Sequence, residues 1–155
     1  MAFAHLPNLI ETRMAAAIDA ETWTSGVTVA ASTGAEIIAF PAIIVAVEKG
    51  TEDPEHSGNF RCDLTITVLG KVDPDNDSTF ASAVSAHEAI AGDVASWIMT
   101  DTDAVASALS GTITGYTNEL VIQSLRLDAF TRDINPSEGA FEDGFSVELY
   151  AHMDG

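Results

Sequence analysis

One alternation of side chains, Phe60-Arg61-Cys62-Asp63-Leu64-Thr65-Ile66-Thr67-Val68, constrains this chain more than any other stretch of it. In an extended strand, Phe60, Cys62, Leu64, Ile66 and Val68 fall on one side, and the charged and threonine side chains fall on the other. Such a strand needs an apolar layer against one face and water against the other. The stretch before it, residues 37–47 with Pro41 inside, is apolar on both faces: Ile43, Val45 and Val47 alternate with Ala42, Ile44 and Ala46. That pattern predicts a central strand covered on both sides. Between the two runs, residues 50–59 (GTEDPEHSGN) are too polar for a core and rich in turn formers. Together the three segments predict an antiparallel hairpin with a long, projecting, acidic tip.

Helical spacing brackets this hairpin. Leu6, Leu9, Ile10, Met14, Ala17 and Ile18 recur as one face of a helix, with Pro7 in its tolerant first turn. An Asp-rich turn at 73–77 leads into a helix from Ser78 to about Met99, in which Phe80, Val84, His87, Ala91, Val94 and Ile98 line one face. Ala83, Ile90 and Trp97 widen that stripe. Residues 101–109 predict a second short helix, capped by Asp101 or Thr102 and stopped by Gly111. Residues 22–34, rich in Thr, Ser and Gly, read as a loop with a short strand at 27–30. Two further strands follow. In residues 120–132, Leu125, Leu127 and Ala129 alternate with Arg126, Asp128 and Phe130; later, Phe145, Val147, Leu149 and Ala151 alternate with Ser146, Glu148, Tyr150 and His152. The order α-β-β-α-(α)-β-β predicts an α+β fold, a mostly antiparallel sheet with helices packed on one face, in a single domain over residues 1–155.

The chain carries 24 acidic and 6 basic residues, a formal charge of −18. That field repels phosphate and excludes a protein that grips nucleic acid by a basic surface. The lone cysteine, Cys62, excludes an internal disulfide and a cysteine zinc cluster. Its place on the apolar side of the strand predicts a packed, unreactive thiol. No stretch reaches the ~18 apolar residues of a membrane span, and the first residues lack the basic start and apolar run of a signal peptide.

Candidate chemistry is sparse. Asp73-x-Asp75-x-Asp77 opens like a calcium loop, but Ser78 and Val84 stand where that loop needs glycine and glutamate. Asp77 or Ser78 as the cap of the following helix accounts better for the acids. Of His5, His56, His87 and His152, no two are spaced as a ligand pair on one helix. His87, on the apolar stripe, predicts a core histidine bonded to a backbone carbonyl. Glu52, Asp53, Glu55 and His56 cluster on the hairpin tip, where nothing buries them; they read as a solvated loop or a protein contact rather than an acid–base pair. No serine sits in a nucleophile elbow or a glycine-rich phosphate loop. The expectation is a protein with no catalytic site, no cofactor and no metal.

The layout nevertheless resembles a known family. A leading amphipathic helix precedes a proline-led apolar strand, Phe40-Pro41-Ala42-Ile43-Ile44-Val45, then an acidic glycine-containing loop and the alternating strand Phe60 to Val68. A helix follows the Asp-rich turn at Asp73 to Phe80, with a histidine midway and an aromatic near its end. This resembles the tail terminator and related neck proteins of tailed bacteriophages. The resemblance covers residues 6–99 and, by order alone, the later strands; residues 22–34 and the short helix at 101–109 depart from it. It implies a structural virion protein, not an enzyme, that forms a ring, typically of six subunits. The ring would cap the tail tube, end its elongation and offer the head–tail joining surface. The implied partners are other copies of the chain, the tail tube protein and a head–tail connector or stopper protein. Genomic DNA would pass through the lumen unbound, and no membrane is involved. The implied location is the virion tail or neck, and the host cytoplasm during assembly. Another neck or minor tail role, head completion or tube-like, is the alternative within the virion; outside it stands a small acidic metal-binding or enzymatic domain using Asp73, Asp75 and Asp77.

Charge adds a physical argument. A negative lumen would hold DNA off its wall, and carboxylate-rich, lysine-poor surfaces also stay soluble in salty surroundings. In a ring, the acidic tip (Glu52, Asp53, Glu55, His56) is expected to meet the next subunit's strand bearing Arg126 and Arg132, head to tail. Such a contact gives register more than affinity.

Overall fold

A computed structural model describes residues 6–24, 30–33, 42–71, 77–113, 119–135 and 137–153. These form helices α1 (Leu6–Ala20), α2 (Asp77–Thr100) and α3 (Thr102–Leu109), and strands β1 (Ala30–Ser32), β2 (Ala42–Glu52), β3 (Asn59–Lys71), β4 (Gly111–Thr112), β5 (Glu119–Asn135) and β6 (Ala140–Met153). The strands make one sheet in the order β1-β2-β3-β6-β5-β4, antiparallel throughout except between β1 and β2. The fold is α+β, as the alternation and the helical spacing predict. Both long hairpins, β2–β3 and β5–β6, meet at the central pair β3–β6.

One face of this sheet packs on the helices. Phe60, Cys62, Leu64, Ile66 and Val68 of β3 are buried, and so are Val147, Leu149 and Ala151 of β6 beside them. Against them lie Ile10, Met14 and Ile18 of α1, Ile90, Val94 and Ile98 of α2, and Val105 and Leu109 of α3. Burying one such side chain contributes roughly 1.5–3 kcal/mol, so this layer holds the fold. Trp23, just past α1, meets Trp97 of α2 edge to face at 5.5 Å between ring centres. Arg13 of α1 ties the far corner. Its Nη1 donates to the carbonyl of Leu109, and its Nη2 to that of Thr112, both at 2.8 Å. These bonds satisfy a carbonyl at the end of α3.

Several expectations change in detail. The polar tip shrinks from ten residues to 53–58, because Gly50, Thr51 and Glu52 keep pairing with Cys62, Arg61 and Phe60, and the buried side chains of Phe60 and Cys62 hold this end of β3 on the core. Strand β2 is packed mainly on one side: Ile43 and Val45 are buried, whereas on the other face Ala42 is buried but Ile44 and Ala46 are partly exposed. Asp101 stands at the start of α3, but its side chain makes no capping hydrogen bond. The Thr102 hydroxyl instead donates back to the Ile98 carbonyl at 3.0 Å, so neither residue caps the helix as expected. Gly70 is required by packing: a Cβ there would lie 1.9 Å from the ring of Phe141, its partner across β3–β6. Residues 27–29, 34–41 and 72–76 lie outside the described residues, and with them most of the expected strand at 27–30, the start of the one at 37–47, and Asp73 and Asp75.

Candidate functional site

The hairpin tip is more organised than a solvated loop. Asp53 follows the last paired residue of β2, and its backbone N–H donates to the Asn59 carbonyl at 2.8 Å, closing the turn. Gly58, at φ +85°, supplies the left-handed turn residue that a side chain would strain. The Asp53 carboxylate then gathers three donors. Oδ2 accepts from the Tyr150 hydroxyl at 2.6 Å and lies 3.1 Å from His56 Nδ1, while Oδ1 accepts from the Glu55 N–H at 2.9 Å. Led by the tyrosine, these contacts hold its pKa down to about 2, and the same bond raises that of Tyr150. The tip thus leans on β6, on the face of the sheet away from the helices. Beside it, a groove of about 490 Å³ is lined by Lys49, Thr51, Arg61, Asp63 and Tyr150.

The same face carries a charge ladder across three strands. Glu148 of β6 accepts from Arg61 of β3 and sits 3.4 Å from Arg126 of β5, which also lies 3.2 Å from Asp128. Hydrogen bonding to Arg61 lowers the pKa of Glu148. Arg61, Arg126 and Asp128 are exposed and Glu148 is half-buried, so the ladder orders the surface more than it stabilises the fold.

Arg132 lies elsewhere. Residues 126 and 132 are an even number apart and would share a face of a regular strand. A bulge between Leu127 and Ala129 resets the alternation, so Arg126 pairs opposite Glu148 on one face and Arg132 opposite Asp143 on the other. Arg132 Nε donates to Asp143 Oδ1 at 3.0 Å, and its Nη2 lies 3.3 Å from Glu88 of α2. Behind them, His87 is 1% exposed, with Nε2 3.3 Å from Asp143 Oδ2 and its ring edge-on to Phe141. That distance suits an ion pair, but among the described residues neither ring nitrogen has a partner in hydrogen-bond geometry. Burial lowers the pKa of His87 against the opposing pull of Asp143. The backbone carbonyl expected for this histidine is replaced by a carboxylate. Asp143 was legible in principle: it stands at an inward position of the run Phe141-x-Asp143-x-Phe145.

The four tip residues therefore lie together on one hairpin end, and the two arginines point to opposite faces of the sheet. Glu52 and Glu55 stay exposed. Cys62 is buried, and desolvation pushes its thiol up to about 11. Among the described residues, no three His, Cys, Asp or Glu side chains gather as metal ligands, and no helix is long and apolar enough to cross a membrane. The chain matches no protein-family model, and no curated protein is detectably similar to it in sequence.

Proposed function

We propose that this chain is a structural subunit of a tailed virus particle, a ring-forming tail terminator or neck protein that caps the tail tube. The observation that carries this reading is the architecture: a one-sided α+β layer whose helices and four long strands follow the order α-β-β-α-α-β-β, the layout on which the resemblance rests. The charge of −18 supports it, since a ring of such subunits would let DNA slide through without adsorbing. In this reading the protein works by docking rather than by catalysis. It occupies the last ring of tube subunits, blocks further addition, and presents its other side to a connector or stopper protein. It resides in the virion tail or neck, after assembly in the host cytoplasm.

The head-to-tail contact is led by the tip. Glu52 and Glu55 are its free carboxylates, because Asp53 is held by Tyr150 and His56. Arg126, exposed on the same face as Tyr150, is the cation that the neighbour's tip would share with Glu148. Arg132, on the opposite face, would need a different part of the neighbour.

Mass photometry of the purified protein, with and without assembled tail tubes, tests the proposal. The expected result is a particle of about six subunits, free or only on tube ends. A chain that stays monomeric and leaves tube length unchanged overturns it.

A further inference from the structure

The two edges of the sheet are finished differently. On the β1–β2 side, carboxylates of α1 take up strand N–H groups: Asp19 accepts from Ala31 at 2.8 Å and Glu11 from Val47 at 2.9 Å. On the other side, β4 covers only Leu120 and Glu119, and the Ser110 hydroxyl takes the Ile122 N–H at 3.0 Å. From Ser124 to Asn135 the outer edge of β5 has no backbone partner among the described residues. An unpaired edge of this length is a template for another strand. It is also apolar where it is most open. Phe130 is 72% exposed and Met99 of α2 is 60% exposed, and both line a groove of about 490 Å³ floored by Ala91, Gly92 and Ala95.

Charge selects the occupant. The chain as a whole carries a fourfold excess of acids, yet residues 124–135 hold Arg126 and Arg132 against Asp128 and Asp133 and are neutral. This strand is therefore where two copies of an otherwise strongly repelling chain approach at least cost. We infer that β5 pairs with β5 of a second copy, antiparallel, about a two-fold axis at Thr131. Centring on Arg132 or Asp133 would set like charges face to face. Centring on Thr131 puts Phe130 opposite the second copy's Arg132, on the groove side. That guanidinium is held in its plane by Asp143, which leaves its flat face for the ring. Asp133 then faces an alanine of the second copy. The contact is independent of the ring: it joins two subunits whether or not they cap a tube.

Variants with one added cysteine decide it, because the native Cys62 is buried and out of reach. Under mild oxidation, Thr131→Cys is expected to form a covalent dimer at least about ten-fold faster than Ala129→Cys or Asp133→Cys. Only the residue on the axis meets its own copy within the ~5.5–6 Å Cα separation a disulfide favours. Sedimentation of the unmodified chain should show a concentration-dependent dimer. Phe130→Ser should weaken it about ten-fold or more, and so should Gly92→Glu, which places a carboxylate in the groove. Position 92 has open space for a Cβ, and glutamate is a better helix former than glycine, so that variant folds. A chain that stays monomeric, equal slow cross-linking at all three positions, or a dimer indifferent to both variants overturns the pairing. Rings on tubes without the Thr131→Cys cross-link would sink the pairing alone; the cross-link without rings would sink the ring alone.

Discussion

Strands β5 and β6 lie side by side over their whole length, yet the sheet treats them oppositely. On β6 the inward positions Phe141, Asp143, Phe145, Val147, Leu149, Ala151 and Met153 are all buried, from one end to the other. On β5 the inward positions are buried only as far as Leu125; Leu127 is partly covered, and Phe130 and Ile134 stand in water. The helices account for the difference. The layer formed by α1, α2 and α3 covers β6 and the first half of β5, and it ends where the groove beside Met99 begins. A strand can therefore be long for two reasons. Strand β6 is long because the core needs it, and the far half of β5 is long although the core does not.

The sharpest way to break this comparison is to truncate one side chain on each strand. Leu149→Ala removes a fully buried side chain and is expected to cost about 3 kcal/mol, within the usual range for such cavities. Phe130→Ala removes a larger side chain and should change the stability of the dilute chain by no more than about 0.5 kcal/mol. Urea unfolding of both variants, with the slope unchanged, reads the two values directly. Similar losses would mean that the outer half of β5 is packed in solution against a surface of the same chain.

Much of this was legible in the sequence, and the reason is period. The alternation at Phe60–Val68 and from Phe145 to Ala151 fixes which side chains face inward, and the spacing of Ile10, Met14, Ile18, Ile90, Val94 and Ile98 does the same for the helices. A local pattern, however, cannot report a bulge. The extra residue between Leu127 and Ala129 turns Arg132 to the face opposite Arg126, so two arginines that look like one surface belong to two. Nor does a local pattern report pairing at long range. The tip reads as free because only Glu55 and His56 of the turn itself lie near Asp53 in sequence; the partner that ties it to the sheet, Tyr150, is 97 residues away. The cluster at His87 was half legible, since the helix stripe marks the histidine as inward but says nothing of a carboxylate arriving from β6.

That cluster sharpens the comparison at the point where β6 touches β5. Asp143→Ala leaves His87 facing a void and frees Arg132, and should cost about 2–3 kcal/mol. His87→Leu is expected to cost nothing or to stabilise, because it removes a buried polar ring that lacks a well-aligned hydrogen bond. The pH dependence follows from the sign of the histidine shift. Folding lowers the pKa of His87 below its ordinary 6.5, so above that value the ring is neutral in both states and adds no pH dependence. As pH falls below 6.5 the unfolded chain takes up a proton that the folded chain resists, and stability is lost. Melts of the wild type between about pH 7 and pH 5 should show this slope, and His87→Leu should flatten it. An unchanged slope in that variant would place the titration elsewhere.

The smallest effect belongs to the other aspartate, at the tip, where a well-bonded carboxylate is only half-buried, at the rim of the sheet. Asp53→Ala removes the acceptor for the Tyr150 hydroxyl, the Glu55 N–H and His56 together. Global stability should barely move, because water replaces every lost partner. What should change is local. Amide exchange at Glu55 should quicken, and the Tyr150 phenol, whose pKa Asp53 raises, should titrate closer to its ordinary value of 10. In the wild type the same contacts should survive until Asp53 itself is protonated. Its pKa is lowered, so their contribution is complete above 3.8 and disappears as pH falls through about 2. Ultraviolet titration of tyrosinate in the wild type and Asp53→Ala, each compared with Tyr150→Phe, isolates the one phenol. If Asp53→Ala leaves it unmoved, the tip does not lean on β6 in solution, and the surface offered to a neighbouring subunit is the loose loop of the first expectation.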